Sequence, residues 1–171
     1  MIDFTELWQK SRLLITDEFV SPPVIVKVDD SIICTLGNFS ASTGKAKSKK
    51  TFNVCAIVAA ALTNGTVLNY SASLPEDKRK ILYADTEQSA FHCLRTLKRI
   101  LNLADLPSDQ QPDSLEFLSL RKYSPRIRLA IIEEAICHTE GLGLVIIDGI
   151  RDLAYDINSP GESTDLITKL M

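Results

Sequence analysis

Gly44-Lys45-Ala46-Lys47-Ser48-Lys49-Lys50-Thr51 is the stretch on which the reading of this chain turns. It lies between the run Asn38 to Thr43, led by Phe39, and a run of small residues with helical character, Phe52 to Leu62. A loop that leaves a strand and opens a helix converges backbone N–H groups on one point, where the helix dipole also favours an anion. Gly44 at the first position and Lys50-Thr51 at the last two reproduce the frame G-x-x-x-x-G-K-[ST], with Lys49 standing where the frame has its second glycine. So read, the stretch is an altered phosphate-binding loop. Lys50 reaches the β- and γ-phosphates of a nucleotide and the Thr51 hydroxyl holds Mg²⁺. The same four lysines also suit a solvated basic turn or a nucleic-acid contact, and the loop alone leaves these open.

Working outward, the helix begun at Thr51 stops near Thr63, before Asn64-Gly65. Upstream, Ile2 to Ile15 has Leu7, Trp8, Leu14 and Ile15 at helical spacing, and Ser21-Pro22-Pro23 ends that helix. Val24 to Val28 and Ser31 to Leu36 read as a β-hairpin turning at Asp29-Asp30. Gly37 then admits a change of direction into a strand, Asn38 to Thr43, before the loop. Downstream, Thr66 to Asp77 reads as an irregular connection and Ile81 to Ala84 as a short buried strand. A helix follows from Ser89 to Leu101, then a loop over Leu106 to Ser114 and an alternating strand, Leu115 to Leu120. Ser124-Pro125 opens a helix carrying Leu129, Ile132 and Ile136 that ends at Gly141 or Gly143. Leu144 to Ile147 is a continuous apolar run closed by Asp148, and Ser163 or Thr164 begins a last helix over Leu166 to Leu170. Strands alternating with helices of about a dozen residues predict an α/β fold with a mostly parallel central sheet.

In such sheets ligands bind at the carboxyl ends of the strands, and three features fall there. One is the loop. Another is Asp148, whose position after a buried apolar strand suits a Mg²⁺ ligand. The third is Asp85-Thr86-Glu87-Gln88. Asp85 or Thr86 accounts for capping the following helix, which leaves Glu87 as the general base that polarises an attacking water. Arg151 and Asp152 orient the metal shell or are polar loop residues. His92 and His138 have no metal-ligand spacing, and Cys93 beside His92 points away from it on a helix.

Composition sets bounds on these readings. At 171 residues, 45% hydrophobic and 24% charged, the chain is an ordinary globular length and composition. A net charge of −3 excludes a general polyanion binder, although Lys78-Arg79-Lys80 and Arg121, Lys122, Arg126 and Arg128 cluster with the loop lysines as local basic fields. The four cysteines, Cys34, Cys55, Cys93 and Cys137, form no C-x-x-C pair and read as small core residues in a reducing compartment. With neither a basic, apolar leader nor an apolar stretch near the roughly 18 residues of a span, the chain reads as cytoplasmic, with no membrane partner.

Gly44 to Thr51, Ile81 to Gln88 and Leu144 to Asp148 together resemble a P-loop ATPase of the RecA-like group, which includes hexameric replicative helicases and RepA/DnaB-like plasmid helicases. The lysine-rich loop also resembles AAA-type ATPases of bacterial mobile elements. The resemblance covers about Val24 to the chain end and implies a three-layer P-loop NTPase fold, preceded by the N-terminal segment 1–23. It implies ATP and Mg²⁺ as cofactors, Lys50 and Glu87 as catalytic residues, Thr51 and Asp148 as metal ligands, and the whole of Gly44, Lys45, Ala46, Lys47, Ser48, Lys49, Lys50 and Thr51 as the nucleotide cradle. It further implies DNA as a partner and a homo-oligomer when full length. The family's later sensor strand and arginine finger are not found before Met171, so 24–171 is expected to be an ATPase domain incomplete at its C-terminus. Alternatives are a partitioning ATPase resembling ParA and MinD, with Lys45 after the first glycine, and a non-hydrolysing DNA-binding or regulatory module.

Overall fold

A computed structural model describes residues 2–45, 49–156 and 159–170, the side chain of Leu170 excepted. Asp3 opens α1 (Phe4–Lys10) by accepting the N–H groups of Thr5 and Glu6 at 2.9 and 3.2 Å. Strands β1 (Val24–Val28) and β2 (Ser31–Thr35) form a hairpin. Asp29 in its turn sits at φ +49°, a left-handed conformation that a short polar side chain tolerates. Helix α2 (Lys50–Thr63) stops at Asn64, also left-handed, where the N–H groups of Asn64 and Gly65 return to the Ala61 and Ala60 carbonyls. Then come β3 (Thr66–Val67), β4 (Tyr70–Ala72), β5 (Lys80–Asp85), α3 (Ala90–Leu103) and β6 (Leu115–Ser119). Helix α4 (Pro125–His138) begins on a proline, whose missing N–H has no partner to lose in a first turn. β7 (Leu142–Asp148), a 3₁₀ turn (Ile150–Leu153) and α5 (Pro160–Leu170) follow.

Two sheets form. β2-β1-β4-β3 is antiparallel, and β6-β5-β7 is parallel with β5 at its centre. Ile81 to Ala84 are buried on both faces, as a central parallel strand requires. The period of two then divides the core. Ile81 and Tyr83, with Leu115, Phe117, Leu144 and Ile146, pack with α2 and α3. Ala84, with Leu118 and Ile147, packs with Leu129, Ile131 and Ile132 of α4. The result is the expected three-layer α/β arrangement, consistent with a RecA-like P-loop fold. Helix α2 also contacts β3 and β4 of the antiparallel sheet. Cys55, Ala56, Val58, Ala59, Ala60 and Ala61 are all buried, and only small side chains let one helix approach both sheets.

Several sequence expectations change. Asn38 to Thr43 is not a strand. Gly37 turns at φ +77°, and Asn38 bonds back locally to Thr35 through its backbone and side chain. Phe39, the segment's one large apolar residue, is exposed, so there is no apolar face to hold the segment on a sheet. Thr66 to Asp77 is not wholly irregular: β3 and β4 pair across Leu68-Asn69 and extend the first hairpin into a four-stranded sheet. The N-terminal helix spans only Phe4–Lys10 and buries none of its residues. α4 ends at His138, before Gly141, and α5 begins at Pro160 rather than at Ser163 or Thr164. Cys55 and Cys93 are buried, but Cys137 is exposed on α4 and is no core residue. Among the described residues, no helix is long and apolar enough to cross a membrane.

Candidate nucleotide site

The parallel register places Asp85 directly opposite Ser119 on one side and Asp148 on the other, so the three strands end level. Past that row the chain folds each acid differently. Asp85 is wholly buried and turns back on its own loop. Its Oδ1 accepts the N–H groups of Glu87 and Gln88 at 3.0 and 2.7 Å, and its Oδ2 accepts from Gln88 Nε2 at 2.7 Å. Burial pushes the Asp85 carboxyl above its ordinary range, and those donors work against the shift. Asp85 therefore shapes the turn before α3 and does not cap that helix, whose N-cap is Ser89; the capping expected of Asp85 or Thr86 is not what they do.

Thr86 fastens the end of β5 to the end of β7. Its N–H donates to the Asp148 carbonyl at 3.1 Å, and its hydroxyl lies 2.7 Å from the Gly149 carbonyl and 3.3 Å from Asp152 Oδ2. Gly149 is at φ +99°, and a Cβ there would stand 2.3 Å from Thr86 Oγ1 and 2.6 Å from Glu87 Cγ. Only glycine fits this junction. Glu87 is exposed, and among the described residues its carboxylate accepts no hydrogen bond. Partial burial, then the carboxylates of Asp152, Asp148 and Asp85, push its carboxyl up; Lys50 pulls it down.

The loop arrives from the other side. Thr51, in the first turn of α2, donates from its hydroxyl to Asp148 Oδ2 at 3.1 Å, joining residues 97 positions apart. Lys50 Nζ donates to the carbonyls of Gly44 and Lys45 at 2.8 and 3.2 Å, folding the amine over the start of the loop. Ala46, Lys47 and Ser48 lie outside the described residues. Lys49, where the frame has glycine, sits at φ +63°. The position needs a left-handed residue, which glycine supplies without strain and lysine does not.

One further residue completes the constellation. Tyr83 donates from its hydroxyl to Asp148 Oδ2 at 2.9 Å. Burial, then the neighbouring Asp148 charge, hold its phenol far above the ordinary range, so it remains a donor at any working pH. The site thus joins Thr51, Asp148 and Tyr83 directly, with Glu87 and Lys50 beside them. Tyr83 and Gly149 were missed from sequence, and Thr86 was read as a helix cap rather than as the tie between β5 and β7. A buried tyrosine in an apolar strand does need a partner for its hydroxyl, and an acid ending a neighbouring strand was the available signal.

The outlying basic groups separate. Arg128 is a brace: its guanidinium donates to the carbonyls of Leu120, Arg121 and Asp152 at 3.2, 2.8 and 2.8 Å. Its donors are committed to the backbone, so it contributes charge but no free N–H fork to the local basic field. Lys78-Arg79-Lys80 lies at the opposite end of β5 from the site. Arg121, Lys122 and Arg126 are exposed in and just after the β6–α4 connection, at the site's end of the sheet. A groove along α4, lined by Arg126, Ile127, Ile131, His138 and Tyr155, includes neither Lys50, Thr51, Glu87 nor Asp148, so chemistry rather than concavity marks the site.

A family model described as an AAA domain, AAA_25, matches residues 14–169. The chain belongs to the AAA_25 family. AAA_25 is a P-loop ATPase family found in RecA-like and DnaB-like proteins, so this AAA_25 domain is a nucleotide-binding P-loop ATPase domain. No curated protein and no solved structure matches the chain. The donor set of the AAA_25 domain fits a hard divalent cation shared with phosphates: a hydroxyl and a carboxylate, both oxygen, already in contact. Among the described residues no three His, Cys, Asp or Glu side chains cluster to cage a metal, whereas Mg²⁺ characteristically takes few protein ligands.

Proposed function

We propose that this AAA_25 domain binds ATP with Mg²⁺, hydrolyses it, and couples the reaction to DNA as part of a RecA-like assembly. The observation that carries the reading is the 3.1 Å contact between Thr51 and Asp148, which brings the loop's last residue to the acid of the third parallel strand. The backbone from Gly44 to Thr51, with Lys50, holds the phosphates once the amine leaves the Gly44 and Lys45 carbonyls. Thr51 and Asp148 hold the Mg²⁺, which offsets phosphate charge when bound. Glu87, exposed beside them with a raised carboxyl, orients and accepts a proton from the attacking water. Exposed Arg121, Lys122 and Arg126 supply phosphodiester contacts at the same end of the sheet.

Titration of the chain with a fluorescent ATP analogue, with Mg²⁺ and then with a chelator, tests the reading. Affinity that rises with Mg²⁺ supports it. Affinity indifferent to Mg²⁺, beside DNA binding that falls steeply with salt, would instead establish a DNA-binding module that makes no use of the metal pair.

A further inference from the structure

Asp148 closes an outer strand of the parallel sheet and is only half buried, so neighbouring donors must fix its side-chain angles. Among the described residues, both of its side-chain partners meet one oxygen, Oδ2: Thr51 at 3.1 Å and Tyr83 at 2.9 Å. The two donors differ in kind. Thr51 sits in the first turn of α2, beside the loop that must adapt to a nucleotide, and its own oxygen is a metal-ligand candidate. Tyr83 belongs to the central strand, is wholly buried, and stacks on Phe117 of β6 with ring centroids 4.4 Å apart and planes 10° from parallel. Its ring cannot swing without opening the core.

Register explains the reach. Tyr83 lies opposite Ile146 and Asp85 opposite Asp148, so Tyr83 and Asp148 are diagonal neighbours on one face of the sheet. A long side chain spans that diagonal and an aliphatic one would leave the carboxylate without this donor. A phenylalanine would fill the same core volume. The hydroxyl is a polar group taken out of water, and its hydrogen bond goes to Asp148.

We propose that Tyr83 is a positioning residue of the nucleotide site, its hydroxyl holding the Asp148 carboxylate in the orientation that receives nucleotide-bound Mg²⁺. This rests on the metal role given to Asp148 above. Tyr83 touches neither nucleotide nor metal. It acts through Asp148, as the outer partners of metal ligands do, and it leaves Thr51 able to turn towards the cation without releasing the acid. The same ring links β6, β5 and β7 in one row, so the acid is referenced to the rigid middle of the sheet rather than to the loop.

Tyr83→Phe keeps the ring and its stack and removes the hydroxyl. With a fluorescent ATP analogue as probe, the affinity measured in chelator should stay within about twofold of the parent, while the Mg²⁺ concentration for half-maximal enhancement should rise on the order of tenfold. In an Asp148→Ala background, which has no carboxylate to position, Tyr83→Phe should add nothing to the Mg²⁺ response. Should Tyr83→Phe not fold, Phe117→Leu, which loosens the ring and spares the hydroxyl, must show the same direction of change. An unchanged Mg²⁺ requirement in a folded Tyr83→Phe, or an additive effect in the Asp148→Ala background, overturns the positioning role alone. A parent chain whose affinity ignores Mg²⁺ overturns the metal reading and this inference together.

Discussion

Lys49 holds a backbone conformation that its own side chain opposes. At φ +63° a non-glycine residue carries roughly 1–2 kcal/mol of local strain. Glycine would relieve that strain but add freedom to the unfolded chain, roughly 0.4–1 kcal/mol in the other direction. Lys49→Gly should therefore leave stability equal or raise it by up to about 1.6 kcal/mol, and should keep or strengthen affinity for the ATP analogue. Lys50→Ala should abolish that affinity, because Lys50 is the amine directly before Thr51 and already reaches across the loop start. The reverse order of effects in titration would shift the loop's register by one. The Glu87 substitution separates binding from chemistry. Glu87→Gln should retain Mg²⁺-dependent binding and lose phosphate release, and normal turnover would remove Glu87 from the chemistry. It should also change the pH response. Because the Glu87 carboxyl is raised, chiefly by burial, the folded chain holds that proton more tightly than the unfolded one. Stability thus falls as pH rises from the ordinary carboxyl value through the raised one. Denaturant titrations across about pH 4 to 7 should show a shallower decline in Glu87→Gln, with the buried Asp85, raised in the same direction, leaving a residual slope.

The elements that were legible in the sequence are those whose pattern and burial agree. Ile81 to Ala84 and Leu144 to Ile147 read as buried parallel strands because both are unbroken apolar runs closed by an acid, and β5 and β7 contain them. The pairing of loop and acid was legible from the loop's spacing and from an acid closing a buried strand, although no strand leads into the loop. Illegible were features made by proximity across strands. Nothing in the order Tyr83, Thr86, Gly149 announces that the first grips Asp148, the second clasps the β7 end, and the third leaves room for that clasp. Asn38 to Thr43 misled because β-permissive residues alone do not make a strand without a partner edge and an apolar face. Gly149 offers the clearest test at this scale. Gly149→Ala forces a Cβ against Thr86 and Glu87 at φ +99°, combining backbone strain with a clash. A loss of roughly 2–4 kcal/mol in denaturant unfolding is expected, with weakened Mg²⁺ response as the β5 and β7 ends separate. An Ala variant as stable as the parent would mean that the two loops yield easily and do not hold Asp148 and Glu87 in register.

Across the whole molecule the net charge of −3 works against any polyanion, so the proposed contact with DNA would have to be local. Sequence clustering suggested more basic surface than the fold provides. Arg128 is spent on three carbonyls, and Lys78-Arg79-Lys80 lies at the far end of the sheet. That leaves Arg121, Lys122 and Arg126, exposed close to the strand ends, with Lys122 lying 4.9 Å over the Tyr123 ring. A phosphate backbone held there would run past the end of β6, two strands from Asp148. Replacing Arg121, Lys122 and Arg126 together with alanine should weaken DNA binding uniformly across sequences. It should also lower the slope of log affinity against log salt by about 2 to 3, since each lost phosphate contact removes somewhat under one released counterion. Affinity for the ATP analogue should not change, because none of the three contacts the loop, Thr51 or Asp148. DNA binding by the triple variant with an unaltered salt slope would place the nucleic-acid contact elsewhere, and the lysines of Gly44 to Thr51, nearest the site itself, would then be the next surface to neutralise.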